Sequence, residues 1–364
     1  MPPPRTIGLR FNPDQPWYQR VFAGIVRYAE KKQDWLLEFL YSEPISAETK
    51  PDGLIFGFSG DRIGSPDCPH IFLSSTATPC VAIDQQEAGS MAAEHLIEQG
   101  YRNLLFFQTG QSKSPNPFLR EQGFKEKARQ DGIDVTQFVS EAYHQAEDGT
   151  TLELGECIRR LPKPLGICAC DPYYTKRLHF VCQQKGYRIP EDIGIISPKE
   201  HPFLFPYLKP GISAVYLNHE KVGYEAARLL DRQLNGETIP IQTLIPPQYI
   251  LVRGSTDHRV IADPHCEKIV NFIWDHLEDS LDTADLAKQF HMSESSLYRQ
   301  FSKHVGRTPS EELRHARIET AKRLLWSTRL PLIQIALECG YGGQSQFNRD
   351  FKKATGMTPG SFRN

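Results

Sequence analysis

Two clusters of polar side chains sit at matching places in two helical patterns near the end of this chain. In residues 294–303 they are Ser295, Tyr298 and Arg299; in residues 344–353 they are Gln344, Ser345, Asn348 and Arg349. Each set lies within a turn or two of its helix start, away from the apolar face made by Leu297 and Phe301 or by Phe347 and Phe351. These side-chain types can read nucleic acid. Arg bonds guanine through two donors, Gln and Asn bond adenine, and Tyr packs on a thymine methyl or reaches a phosphate. A merely solvated polar face is the bland alternative, and it holds for most single helix exteriors.

The elements that must position these groups come as a pair. Residues 283–291, the turn Met292–Ser293 and residues 294–303 make one helix-turn-helix pattern. In it Leu286, Ala287 and Phe290 face Leu297 and Phe301, with Ser293 as N-cap. Residues 333–339, the turn Gly340–Gly343 and residues 344–353 make the second, in which Ile335, Ala336 and Cys339 pack on Phe347 and Phe351. Glycines let the chain reverse between those helices. Two such units joined by one long helix can enter successive major grooves on one face of DNA. Charge agrees: from Leu281 onward 13 Lys and Arg stand against 8 Asp and Glu, although the whole chain carries −2. A basic end on an acidic body points to nucleic acid at that end.

Residues 264–363 resemble the DNA-binding domain of AraC-type transcription regulators. The likeness rests on the Leu-Ala-Lys-x-Phe-x-Met-Ser run at 286–293, Leu-x-Arg-x-Phe at 297–301 and the connecting segment from Arg317 to Leu325. Ile335–Ala336, Cys339–Gly340–Tyr341, Gln344–Ser345, Phe351–Lys352–Lys353 and Gly356 to Pro359 extend it. One departure is Gly342–Gly343, where that family often has Ser before the position of Gln344. The change removes a capping side chain from the second recognition helix.

The first 255 residues alternate short apolar runs with helical stretches. Strands are expected at 6–11, 36–40, 53–58, 80–83, 104–108, 166–169 and 193–196, and helices at 18–32, 88–99, 119–131, 152–161, 174–185 and 221–235. Such alternation predicts βαβ units with parallel sheets covered on both faces. That many strands predicts two α/β lobes. Ligands of such sheets bind beyond the carboxyl ends of the strands, which here carry Asn12, Ser59, Asp84, Asp171 and the segment 197–201.

This region resembles the effector-binding part of LacI/GalR-type repressors, a two-lobed periplasmic-binding-protein-like fold. Pro51 to Ile55, Thr78 to Asp84, Ala92 to Gly100, Arg120-x-x-Gly123-Phe124, Ile189 to Ile193 and Gly223 to Leu230 carry the likeness in order. Joined to an AraC-type domain, this is the architecture of the xylose-operon regulators. Phe11–Asn12, Tyr18-x-Arg20-x-x-x-Gly24 and the segment 253–264 also match them. The resemblance implies a sensor at 5–253, a linker at 254–263 and a DNA-binding domain at 264–364. It also implies a sugar or sugar-derived effector, paired operator half-sites on double-stranded DNA, a homodimer, and RNA polymerase as a partner if the protein activates.

Ligand contacts are expected from Asp84, Asp171 and Arg120, with Asn12 and Ser59 at strand ends and Trp17 and Tyr18 over an apolar sugar face. Each has a bland counterpart in a turn, a surface ion pair or packing. The resemblance puts Lys199 where LacI-type sensors carry an Asp that accepts bonds from sugar hydroxyls, so an acceptor has become a cationic donor. Either the effector differs from xylose, or the loop has shifted and Glu200 takes the acceptor role.

Other function classes lack their signals. No His spacing suits a metal, no phosphate loop or nucleophile elbow occurs, and the eight cysteines show no Cys-x-x-Cys pair. Neither enzyme chemistry nor a cofactor is expected. The N-terminal residues lack a signal-peptide core and no run reaches membrane-spanning length, so a cytoplasmic protein away from membranes is expected. The competing reading is a cytoplasmic sugar-binding or sugar-modifying protein with an accessory helical domain.

Overall fold

Short runs of β-branched and aromatic residues, buried on both faces, build the N-terminal part of the protein. The computed structural model describes residues 4–32, 34–40, 51–57, 68–110, 114–140, 149–256, 263–305, 307–328 and 330–363. By its contacts the chain separates into two units, Met1–Thr256 and Asp257–Asn364.

In the first unit, β1 (Arg5–Arg10), β2 (Trp35–Phe39), β3 (Gly53–Phe56), β4 (His70–Phe72), β5 (Cys80–Ile83) and β11 (Gln242–Ile245) form one sheet. Its order is β11-β5-β4-β3-β1-β2 and its pairings are parallel. A second sheet, ordered β12-β10-β9-β8-β6-β7, takes β6 (Asn103–Thr109), β7 (Val135–Ser140), β8 (Leu165–Ala169), β9 (Ile193–Ser197), β10 (Ser213–Tyr216) and β12 (Tyr249–Leu251). It is parallel except for the edge strand β12. Helices α1 (Pro16–Lys32) and α6 (His219–Leu234) cover the first sheet. Helices α2 (Gln85–Glu98), α3 (Asn116–Gln130), α4 (Gly149–Arg160) and α5 (Pro172–Gln184) cover the second. Among the described residues the chain crosses between lobes after β5, after β10, and between β11 and β12.

The two-lobed α/β sensor read from the sequence is therefore present, and each expected strand and helix has its counterpart. Residue 58 and Ser59 lie outside the described residues. The sequence reading passed over β4, β7, β10, β11 and β12. These are three- to six-residue strands, and β7 and β11 are half exposed, so they lack the solid apolar run of a central strand.

Each lobe holds one helix pair at unusually close approach, and glycines make it possible. A Cβ on Gly24 of α1 would lie 1.9 Å from the Glu220 carbonyl oxygen, and one on Gly223 of α6 would lie 1.9 Å from that of Val21. Across α2 and α3 the same arrangement recurs: a Cβ on Gly89 would meet the Arg120 carbonyl oxygen at 1.8 Å, and one on Gly123 that of Gln86 at 1.8 Å. These distances are far inside van der Waals contact, so only hydrogen fits there.

One boundary differs from expectation. The linker was expected to begin at Gly254, but Ser255 and Thr256 are wholly buried in the sensor. Ser255 Oγ donates to the Ile195 carbonyl at 2.5 Å and accepts from Ser213 N at 2.9 Å. Thr256 Oγ1 meets His95 Nε2 at 2.7 Å, which ties the end of the sensor to α2. Small polar residues read as linker in sequence; here their hydroxyls satisfy groups deep in the second lobe.

The second unit is all helix: α7 (Pro264–Asp275), α8 (Thr283–Gln289), α9 (Glu294–His304), α10 (Pro309–Ser327), α11 (Leu332–Glu338), α12 (Gln344–Thr355) and α13 (Pro359–Arg363). Asp282 with Asp285 and Thr308 with Glu311 form capping boxes that start α8 and α10. Leu286, Ala287, Leu297 and Phe301 are buried together with Ile269, Ile273, Leu313 and Ala316. Tyr341, Phe347, Phe351 and Phe362 form a chain of ring contacts with centroids 5.1–5.6 Å apart. Among the described residues no helix is long and apolar enough to cross a membrane.

Candidate functional site

In the sensor, the carboxyl ends of strands from both sheets converge on a cleft, as doubly wound sheets require. Its larger cavity, of about 240 Å³, is walled by Trp17, Val21, Leu73, Ile83, Leu217 and Val222. Its polar groups come from Ser74, Ser75, Gln85, Asn116, Arg120, Lys199 and His219. A smaller cavity of about 140 Å³ adjoins it, sharing Trp17, Lys199, Leu217 and His219 and adding Arg20, Glu200 and His201. Lys199 borders both. Drug-sized pockets run to roughly 300–1,000 Å³, so this cleft suits a ligand of monosaccharide size.

Arg120 enters from α3. Its Nε donates to Gln85 Oε1 at 2.7 Å and one terminal nitrogen donates to the Cys170 carbonyl at 2.8 Å. With its backbone clamped at Gly89, this side chain is buried and fixed from two elements. Lys199 follows β9, and its Nζ stands 5.5 Å from the centroid of the Trp17 ring. Burial, aided by the charges of Arg120 and Arg20 and opposed by Asp171, brings the Lys199 ammonium down to about 8. His219, at the start of α6, is held well below the usual imidazole range by burial first and then by Lys199, Arg20 and Arg120. It is therefore a neutral ring at physiological pH. Arg20 lies over the Tyr216 ring, 5.5 Å from its centroid.

Of the ligand contacts expected from sequence, Trp17, Arg120, Lys199 and Glu200 border the cleft. The Glu200 carboxylate is nearly sealed and is held by Arg253 through two bonds of 3.0 and 3.1 Å. Its oxygens thus fasten the end of the sensor to the loop after β9. Asp84 caps α2 by accepting from Glu87 N, and Asp171 caps α5 by accepting from Tyr174 N. Asn12 accepts from Asp14 N at 2.9 Å in its own turn. Tyr18 is buried between Phe11 and Trp17, with stacked centroids at 4.8 and 3.4 Å. Asn12, Tyr18, Asp84 and Asp171 are not among the residues bordering either cavity. Asp171 nevertheless acts on Arg120 and Lys199 through its charge.

Sequence reasoning missed Arg20, Gln85, Asn116 and His219. Arg20 stood in a quoted motif without a role, and Gln85 and Asn116 open helices immediately after a strand end or loop. His219 follows β10, a strand the sequence did not announce. Recognising that short strand would have placed it at a carboxyl end.

In the C-terminal unit, Ser295, Arg299, Ser345 and Arg349 are exposed on α9 and α12, and Gln344 is half-buried. Ser293 caps α9 as expected, accepting from Ser296 N at 3.3 Å. Tyr298 is partly buried, and its hydroxyl is 2.6 Å from Ser310 Oγ, tying α9 to the first turn of α10. Asn348 is half-buried, with its carbonyl oxygen inside the protein. Helix α12 starts at Gln344 behind Gly343 with no side-chain cap, as the missing Ser implies.

A two-lobed cleft in one unit and paired helix-turn-helix units in the other are the parts of an effector-controlled, sequence-specific DNA-binding transcription regulator. Known families agree: residues 93–256 match the periplasmic binding protein-like domain, and residues 286–364 match a helix-turn-helix domain. The chain is 26% identical to the xylose operon regulatory protein of Escherichia coli K12 across 98% of its own length and 96% of that protein. Against the protein of the same name from Haemophilus influenzae it is 24% identical, covering 98% and 97%. The structure of the xylose-binding transcription activator xylR shares the fold, with a TM-score of 0.64 at 24% identity over 100% of this chain and 98% of that one. The chain is thus a DNA-binding transcription regulator with a periplasmic-binding-protein-like domain followed by a helix-turn-helix domain, and it is similar over nearly its whole length to xylose operon regulatory proteins.

Proposed function

We propose that this protein acts in the cytoplasm as a homodimer on paired DNA half-sites, with its occupancy set by a monosaccharide-sized effector in the sensor cleft. The single observation that carries this reading is the convergence of Trp17, Gln85, Asn116, Arg120, Lys199 and His219 on one cavity at the strand ends of both lobes. An aromatic wall with a few fixed polar groups is the usual make-up of a small-molecule site. Its relatives are named for the xylose operon, so pentoses head the panel of effectors to try.

An effector that prefers one state of the cleft shifts DNA affinity by its differential binding free energy, and DNA shifts effector affinity equally. The exposed Ser295 and Arg299 of α9, and Gln344, Ser345 and Arg349 of α12, are assigned to DNA contact; Tyr298 and Asn348 reach it from the edge of those faces. We place the sensor at residues 5–256 and the DNA-binding domain from Pro264. RNA polymerase is a further partner if the regulator activates.

The test is selection of binding sites from random duplex DNA by the full-length protein, with and without a sugar panel. A recovered site of two half-sites whose occupancy changes with one sugar class supports the reading. Recovery of no sequence preference, with or without sugars, overturns it.

A further inference from the structure

The cleft carries an unbalanced set of charges. Lys199 and Arg120 border the larger cavity, Lys199 and Arg20 the smaller one, and Asp171, outside both, is the carboxylate whose charge acts on Lys199 and Arg120. One Asp171 carboxylate oxygen, Oδ1, accepts from Tyr174 N at the start of α5. Glu200, adjacent to Lys199 in sequence, is turned to Arg253 and held there by two bonds. Among the described residues neither Lys199 nor Arg120 has a carboxylate within ion-pair distance. Arg120 spends Nε and one terminal nitrogen on Gln85 and Cys170, both neutral acceptors.

Arg120 is buried and Lys199 half-buried, and two cations facing one small cavity without a counter-ion are costly. Proteins neutralise such groups by pairing them or by shifting their proton affinity. Here the protein supplies no partner. The rest of this cavity's wall carries no charge: Trp17, Val21, Leu73, Leu217 and Val222 are apolar, and Ser74, Ser75, Gln85, Asn116 and the uncharged His219 are neutral. The neutral groups can serve sugar hydroxyls, whereas Lys and Arg offer only donors and positive charge, which an oxyanion matches more fully than a hydroxyl does.

We infer that the effector is an acidic sugar derivative, whose carboxylate or phosphate is received by Lys199 and Arg120 while its ring lies along Trp17. The inference rests on the proposed cleft-binding function and narrows its ligand class. Arg, with its planar donor fork, suits either oxyanion, and Lys contributes a point charge.

Charge coupling adds a pH signature. The charges acting on Lys199 are Arg120, Arg20 and Asp171; neutral His219, the Arg253-bound Glu200 and His201 line the smaller cavity with it. Lys199 sits near about 8 in the unliganded cleft, and an anion beside it raises that value. Binding therefore takes up a proton when the pH is near or above 8, and affinity for the acid falls as pH rises through that range. A neutral sugar has no such requirement.

The experiment is calorimetric titration of the full-length protein with matched ligands: xylose and xylonate, glucose, glucuronate and glucose 6-phosphate, and inorganic phosphate alone. We expect the acids to bind at least ten-fold tighter than their neutral counterparts. The carboxylate and phosphate arms report which acid group the cleft takes. In Lys199→Met the acid preference should fall at least ten-fold and the loss of affinity from pH 7.5 to 9 should disappear, while Lys199→Arg retains the preference. Circular dichroism of both variants shows whether each remains folded. Neutral sugars binding as tightly as the acids, undiminished in Lys199→Met, overturn the inference and leave the regulator reading intact. Failure of every acid to bind also overturns it. Site selection from random DNA judges the regulator reading separately.

Discussion

At the scale of single residues, the structure divides the polar side chains into those that hold the frame and those that face solvent or the cleft. Glu200 and Asp84 fall in the first group, while Arg299 is exposed on α9 and Lys199 borders the cleft. Arg299 is exposed on α9, so Arg299→Ala should weaken binding to a selected DNA site by roughly 1–3 kcal/mol and relax sequence choice at one position. Fluorescence anisotropy with single-base variants of the site checks this; unchanged affinity and selectivity would refute the orientation of α9. The Glu200–Arg253 pair gives a stability prediction. Both side chains are largely buried, so Arg253→Met leaves a carboxylate without its partner and should destabilise the sensor by roughly 3–5 kcal/mol. Glu200→Leu added to it should recover much of that loss, because no buried charge then remains. Urea midpoints of the three proteins decide the matter, and a double variant as unstable as the single one would show that packing and not charge is at stake.

At the scale of elements, the helix pairs α1–α6 and α2–α3 set the cleft. Gly123→Ala pushes a methyl group into the Gln86 carbonyl, and the helices must part to admit it. Overpacking of this kind costs typically about 1–3 kcal/mol. Because Arg120 is anchored through the same crossing, effector affinity should fall with stability, as parallel thermal melts and titrations would reveal. Wild-type affinity in a destabilised Gly123→Ala protein would separate the crossing from the site. Gly343, before α12, behaves differently. Its φ of 175° is extended and a Cβ there meets no atom within 4 Å, so Ser is accommodated and can cap the helix. Gly343→Ser should raise the stability of the C-terminal unit by a few tenths of a kcal/mol, of the order by which Ser exceeds Gly at N-caps. A lowered denaturation midpoint would contradict the start of α12. Gly340 offers no such freedom: its φ is +71° and a Cβ would lie 2.0 Å from the Leu277 carbonyl oxygen.

At the scale of the whole molecule, the two units predict where the chain can be cut. A fragment ending at Thr256 keeps the hydroxyls of Ser255 and Thr256 on Ile195, Ser213 and His95, and it should fold and bind effector like the intact protein. One ending at Arg253 leaves those groups buried and unsatisfied, at roughly 1–3 kcal/mol apiece, and should be markedly less stable. Equal melting temperatures for the two fragments would move the boundary back to residue 253.

Much of this protein was legible in its sequence because the signals are local. Helical periodicity from Leu286 to Phe301 and from Ile335 to Phe351, the Ser293 cap and the glycine turns fix paired helix-turn-helix units within short windows. Apolar runs as solid as those of β6, β8 and β9 announce a parallel sheet without any knowledge of its neighbours. The tertiary structure decided what depends on distant partners. That Glu200 belongs to Arg253 and that Ser255 and Thr256 complete the second lobe are facts of long-range hydrogen bonding, which residue type does not encode. The caps of Asp84 and Asp171 are local, three residues along the chain, and are a signal that the sequence reading passed over. The cleft shows the same limit. Arg20, Lys199 and His219 are far apart in sequence and lie on three elements, and only the convergence of strand ends brings their charges and rings to one cavity. The sequence by itself determined the kind of protein, because periodicity and turn chemistry act over a few residues. Which side chains border the cleft was decided by packing, because burial and electrostatics are properties of a folded neighbourhood.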